Sequence, residues 1–182
     1  LSKEICIRAM RSKDTKFDGQ FYIGVHSTGI YCRPICPAPS PKLKNIQFFP
    51  SAAAAADAGL RPCLRCKPEM APGLVHTIAP ELISKALKMI SDDFPEAIKM
   101  DELANRLKVS TRHLRRLFQQ YLGATPFSIW QTQKIHFAKR LIDETSLPMT
   151  EIAFAAGYTS IRSFNDSFKK AYRRRENSFL FL

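Results

Sequence analysis

Four of the five cysteines in this 182-residue chain form two close pairs, Cys32-x3-Cys36 and Cys63-x2-Cys66, with 26 residues between them. Each pair can offer two sulfurs from one turn, and a fold that joins the turns makes a tetrahedral metal site. Four thiolates without a histidine favour zinc (Zn2+), with iron the weaker candidate. Two disulfides are the rival arrangement, disfavoured for a chain expected to work in a reducing cytoplasm. Sites of this kind are most often purely structural, but the neighbours here argue for more. Arg33 follows Cys32, Lys42 and Lys44 lie in the intervening loop, Arg61 stands two before Cys63, and Arg65 and Lys67 flank Cys66. A zinc-bound thiolate stays ionised at neutral pH and remains a nucleophile. Ringed by cations that can hold a phosphate, it is placed to attack an electrophile on a nucleic-acid backbone. Cys6, between Ile5 and Ile7, reads as a small packed hydrophobe.

The blocks around these cysteines resemble a known family. Phe17-Asp18-Gly19-Gln20-Phe21-Tyr22, Ser27-Thr28-Gly29-Ile30-Tyr31-Cys32-Arg33-Pro34-x-Cys36-Pro37-Ala38, Asn45-Ile46-x-Phe48-Phe49 and Gly59-x-Arg61-Pro62-Cys63-x-Arg65-Cys66 are similar to the N-terminal domain of the Ada family of alkylation-repair proteins. The resemblance runs from about Cys6 to Gly73. It implies that Cys32 accepts a methyl group from a methylphosphotriester in DNA, once and irreversibly, while Cys36, Cys63 and Cys66 remain zinc ligands. Such a chain would be a methylphosphotriester-DNA cysteine S-methyltransferase, with Thr28, Arg33, Lys42, Lys44, Arg61 and Arg65 as expected DNA contacts of this half. The lesion is uncharged, so a thiolate meets no repulsion there. One transfer takes the zinc with its ligands from a formal charge of about −2 to about −1, and one charge about 5 Å from a phosphate is worth about 3 kcal/mol at an effective dielectric near 20. Methylation is therefore expected to tighten DNA binding. The reading from another class is a DNA-binding regulator whose zinc is structural.

A second pattern lies downstream. Leu103-Ala104-x-x-x-Lys108-Val109-Ser110, followed by Leu114, Leu117 and Phe118, recurs 49 residues later as Ile152-Ala153-x-x-x-Gly157-Tyr158-Thr159, followed by Phe164 and Phe168. An alanine lets two helices cross closely, a tight turn follows, and the next helix opens with Ser, Thr and Arg: a helix-turn-helix, whose second helix enters the major groove. Side chains not needed for packing are the expected DNA contacts: Ser110, Thr111, Arg112, Arg115, Arg116 and Gln119 in the first copy, and Ser160, Arg162, Asn165 and Lys169 in the second. Thr125-Pro126 starts a long helix between the copies, with Phe127, Trp130, Ala138 and Leu141 expected as its buried stripe. His113 and His136 carry no motif signal. The paired arrangement resembles an AraC/XylS-type DNA-binding domain over residues 80–172, carried by Glu151-Ile152-Ala153-x-x-Ala156-Gly157-Tyr158-x-Ser160-x-x-Ser163-Phe164-x-x-x-Phe168-Lys169.

These groups need elements to hold them. A helix at Ile5–Met10, strands at 21–25 and 30–32 around a Gly-containing loop, a third strand at 46–49, and an alanine-rich helix capped by Ser51 and ended by Gly59 are expected. So small an α+β unit cannot offset its chain entropy without a staple such as zinc. The fold class expected is a small α+β zinc-binding domain (1–73), a linker (74–79), an all-α domain with two helix-turn-helix units (80–175) and a tail (176–182). Two prolines and a glycine between Lys67 and Gly73 mark the change of composition. The formal charge of +12 divides evenly, with 11 basic and 5 acidic residues in 1–75 and 17 and 11 in 76–182. A polyanion, double-stranded DNA, is the partner this implies, with RNA polymerase a further one for a regulator. With 45% hydrophobic residues disorder is not expected, and no apolar run is long enough to span a membrane. A cytoplasmic, nucleoid-associated monomer is the expectation. After Tyr172 the AraC-type Gly-x-x-Pro continuation is missing, and so is a Pro-Cys-His-Arg motif for repair of alkylated guanine. A fragment, a truncated gene or a divergent end would give this. The stretch from Gln131 to Glu144 resembles most the variant fused to a 3-methyladenine glycosylase, a domain not found in these 182 residues.

Overall fold

The computed structural model describes residues 1–72, 80–97 and 99–172. The expected linker at 74–79 and tail at 176–182 lie outside them. In the first half, helix α1 (Lys3–Ser12) is capped by the Ser2 hydroxyl and buries Cys6, Ala9 and Met10 against Phe21 and Ile23. Strand β1 (Tyr22–Val25) forms a hairpin with β2 (Ile30–Cys32), turning through Gly29 at φ 64°, and pairs on its other side with β3 (Ile46–Phe49). A two-residue strand, β4 (Arg61–Pro62), lies parallel to β2, giving the order β3-β1-β2-β4. So short a parallel strand leaves no periodicity in the sequence, and it was not foreseen.

Helix α2 (Ala52–Asp57) explains how the halves meet. The Ser51 hydroxyl accepts from the Ala54 amide at 3.0 Å, which caps α2, and donates to the Leu122 carbonyl at 2.7 Å in the helical half. Ala52, Ala53, Ala54 and Ala55 are all buried, and these small side chains let α2 pack on the long helix α6 (Pro126–Glu144). Gly123, at φ 62°, ends α5 (Thr111–Leu122) where an added Cβ would stand 3.1 Å from the Ala54 methyl. One core runs through Tyr31, Phe49 and Leu60 into Ile83, Leu87, Leu114, Phe118 and Ile129. The two halves thus share a hydrophobic interior. Residues 67–72 are no free linker either: Pro68–Met70 is a short turn packed on α6, with Pro68 and Glu69 buried.

The rest of the helical half contains α3 (Glu81–Asp92), then α4 (Met100–Arg106) with α5, and α7 (Met149–Ala155) with α8 (Ile161–Tyr172). These last two pairs are the repeated units. Their turns sit at Lys108, φ 56°, and Gly157, φ 76°, so the same left-handed step is taken by a lysine in one copy and a glycine in the other. Phe127 departs from the expected stripe: it is 58% exposed in the first turn of α6, its ring tilted 33° against that of Trp130 with the centres 5.5 Å apart. Trp130, Ala138 and Leu141 do face the interior, and the Trp130 indole donates to the Pro95 carbonyl at 3.1 Å.

Candidate functional site

The fold gathers the sulfurs of Cys32, Cys36, Cys63 and Cys66 so that all lie within 4.8 Å of one another. Cys32 ends β2, Cys36 follows in the turn after it, and Cys63 and Cys66 follow β4; the Cys63 amide donates to the Tyr31 carbonyl at 3.0 Å, so the sheet fixes one ligand turn against the other. Four thiolates at about 2.3 Å from a tetrahedral ion would stand about 3.8 Å apart, which this cluster accommodates. Sulfurs this crowded cannot all be ionised unless a cation lies among them. Proton sharing drives Cys32 up, with its hydrogen bond to Cys36 the largest cause, and drives Cys63 down, with the bond from Cys32 the largest. The donor set and its spacing are those of a zinc site.

The four sulfurs are not equivalent. Cys63 and Cys66 are buried, while Cys32 and Cys36 are partly exposed. Backbone N–H groups draw charge from three of them: Ala38 towards Cys36, Cys66 towards Cys63, and Arg33 towards Cys66 at 3.3 Å. Cys36 takes its N–H from the residue two positions on. The equivalent positions after Cys32 and Cys66 are Pro34 and Pro68, which have no N–H to give; Cys66 receives one from Arg33 instead.

Cys32, Cys36 and Cys63 open on a cavity of about 410 Å³ whose walls include Val25, Ile30, Pro34 and Leu64. Of the residues expected to face DNA in this half, Thr28, Arg61 and Arg65 line the same cavity; Lys42 and Lys44 are exposed beside a short turn at Leu43–Asn45 and do not. Arg33 also lines this cavity, but its guanidinium is engaged within the protein. Its guanidinium is 12% exposed, pairs with the Asp18 carboxylate through Nε at 2.8 Å and through Nη2, and donates to the Cys66 carbonyl at 3.1 Å. With these donors turned inward, Arg33 braces the second ligand turn. Hydrogen bonding to Asp18 raises its already high pKa.

In the helical half, Arg112, Arg115, Arg116 and Gln119 on α5 and Arg162, Asn165 and Lys169 on α8 are exposed, whereas Thr111 is half-buried. Ser110 and Ser160 are exposed, but each hydroxyl accepts from the amide three residues on, at 3.2 and 3.1 Å, so they cap helices first. Two residues escaped the sequence. Lys134 is buried on α6, its ammonium 2.7 Å from the Gly157 carbonyl and 3.9 Å from the Tyr158 ring centre, pinning the second turn. His136, also on α6, meets the Tyr31 hydroxyl at 3.0 Å. Neither stands in a recognisable motif, and the helical pattern of α6 alone does not show what faces it.

Residues 5–69 match the metal binding domain of Ada, and residues 103–175 match a helix-turn-helix domain. The probable bifunctional transcriptional activator/DNA repair enzyme AlkA of Mycobacterium tuberculosis is 41% identical over 92% of this chain and 34% of its own length, so the chain spans about a third of that relative. A crystal structure of the methylated N-Ada/DNA complex is 31% identical, covering 74% of this chain and 98% of that one with a TM-score of 0.39. The bifunctional transcriptional activator/DNA repair enzyme AdaA of Bacillus subtilis is 32% identical over 90% of this chain and 75% of its own. With three quarters of that Bacillus protein matched at this identity, and a metal binding domain followed by a helix-turn-helix domain in both sequence and structure, the chain belongs to the Ada family.

Proposed function

We propose that this chain is a self-inactivating DNA repair methyltransferase and a methylation-triggered transcriptional regulator. The observation that carries this reading is a cluster of sulfurs that opens on a cavity rimmed by Arg61 and Arg65, in which Cys32 alone is both partly exposed and followed at the second position by a proline. A thiolate relieved of N–H donors holds more charge on sulfur and is the better nucleophile. Zinc, when bound by Cys32, Cys36, Cys63 and Cys66, supplies the positive charge that keeps all four ionised at neutral pH. The Cys32 sulfur attacks the methyl carbon of a methylphosphotriester in line with the carbon–oxygen bond. The S–C bond forms as the C–O bond breaks, and the electron pair leaves on oxygen, which restores an anionic phosphodiester. No proton moves, and the thioether has no route back to a thiolate.

Loss of one negative charge beside DNA then favours the bound state, and the exposed residues of α5 and α8 supply groove and phosphate contacts. Thr28, Arg61 and Arg65 hold the lesion strand, Lys42 and Lys44 act at longer range, and the methylated monomer recruits RNA polymerase at its promoters. Incubation with DNA carrying methylphosphotriesters, followed by intact-mass measurement, tests the chemistry: the wild type should gain one methyl group, and Cys32→Ala none. A wild type that gains none leaves the zinc site structural.

A further inference from the structure

All three ligand-bearing stretches touch the helical half. Tyr31, one residue before Cys32, is 1% exposed, and its hydroxyl lies 3.0 Å from Nε2 of His136 on α6, 105 residues away. Pro62, before Cys63, belongs to β4, which lies against α8. Lys67, after Cys66, reaches Asp143 on α6 at 3.1 Å. The last contact is weak, because the lysine is 49% exposed and surface ion pairs contribute little. The Tyr31–His136 bond is different. The tyrosine has no solvent to fall back on, and the histidine stands where two interdomain crevices meet, one lined by Glu69, Phe137 and Arg140, the other by Arg61, Lys134 and Tyr158. Tyr31 is also held through its backbone, since its carbonyl receives the Cys63 amide. Side chain and main chain of this residue thus tie Cys32 to α6 on one side and to the opposite ligand turn on the other.

We propose that His136 is a positioning residue for methyl transfer: from the helix that joins the two helix-turn-helix units it fixes the Tyr31 hydroxyl, and through Tyr31 it holds Cys32 in the attack orientation. In-line displacement requires sulfur, carbon and leaving oxygen to be nearly collinear, and a shift of an ångström is costly. β2 is three residues long, so an anchor on its middle residue controls its end. The same bond carries displacement the other way, so that a change in Cys32 on methylation reaches the helix between the DNA-reading units. The proposal rests on Cys32 being the acceptor.

Four variants of the full chain test it: Tyr31→Phe, His136→Phe, the double variant, and His136→Gln, which keeps a polar group near the Nε2 position. Methyl gain is followed by intact mass, zinc content by elemental analysis, and promoter-DNA affinity before and after methylation at fixed salt. Each single Phe variant should transfer methyl about tenfold more slowly with zinc retained. The double should be no slower than the worse single, since both delete one bond, and His136→Gln should recover most of the rate. The affinity ratio of methylated to unmethylated protein should shrink in the Phe variants. Where His136→Phe loses zinc, Tyr31→Phe carries the test, because it leaves no hydroxyl unpaired. Wild-type rates in both single variants, multiplying losses in the double, or no recovery by glutamine would overturn the proposal. A wild type that takes no methyl at all overturns the assignment of Cys32, and this proposal with it.

Discussion

Cys32, like Cys66, has a proline two positions on, and the missing N–H can be restored. Pro34→Ala would return a donor to the second position after Cys32, as Ala38 supplies one to Cys36. A charge-assisted hydrogen bond to the thiolate, worth about 1 to 2 kcal/mol, should slow methyl transfer about tenfold while zinc stoichiometry stays at one, measured by the rate of mass gain. A second prediction concerns His136, which burial lowers to about 4, with the Arg140 charge adding. The unfolded chain takes up this proton near the ordinary histidine value of about 6.5, the folded chain only near 4. Between these values the unfolded state binds more protons, so stability that is complete above about 6.5 falls as the pH drops towards 4, by about 1 to 3 kcal/mol. Glu69, raised by burial, acts in the opposite sense, and Tyr31, Arg61 and Lys134 face the same crevices. Urea titrations across this range should show a steeper loss of stability with falling pH in the wild type than in His136→Gln, where the opposing contribution of Glu69 remains. The cysteine spacing made the metal site legible in the sequence, because two paired turns are all that zinc requires. His136 and Lys134 were illegible because one polar residue on an apolar helix face acquires meaning only from what lies opposite it.

The repeated turns make a matched experiment at the level of elements. Lys108 adopts the left-handed conformation at a cost that glycine avoids, so Lys108→Gly should stabilise the chain by up to about 1 kcal/mol. Gly157→Ala should destabilise it by about 2 kcal/mol or more, because strain adds to an approach of 2.7 Å from the new Cβ to the Pro95 Cβ. Thermal unfolding of both variants beside the wild type reads the opposite signs. The helices of both units were foreseeable because their apolar spacing is local, as were the three longer strands and the serine cap of α2. Phe127 was not. Pro126 starts α6 just before it, and this first turn lies at the rim, where a ring that fits the apolar stripe still faces water. The Arg33–Asp18 pair was illegible for a related reason: adjacency to a ligand does not say whether a long side chain points to solvent or back to a carboxylate.

For the whole molecule, the shared core decides how loss of zinc is felt. Chelation should release the ligand turns and, because Tyr31, Phe49 and Leu60 pack in the same interior as Leu114 and Phe118, lower the unfolding temperature of the helical half as well, by at least about 10 °C. One calorimetric transition that moves as a unit is expected; two transitions, the upper one indifferent to chelator, would show the halves to be thermally independent. Sequence composition gave no sign of this union, since a proline-rich stretch with a change of character reads as a boundary whether or not the flanking surfaces meet. The contact itself has an evolutionary consequence. α2 meets the helical half with buried alanines and with the Ser51 hydroxyl on the Leu122 carbonyl, surfaces that carry little chemical identity, so fit there depends on how near the backbones come. A larger side chain in place of a buried alanine finds little room there. Transplanting the zinc unit onto another reader would therefore demand a recipient helix of equally close approach, which makes these two parts poor candidates for shuffling and ties their histories together.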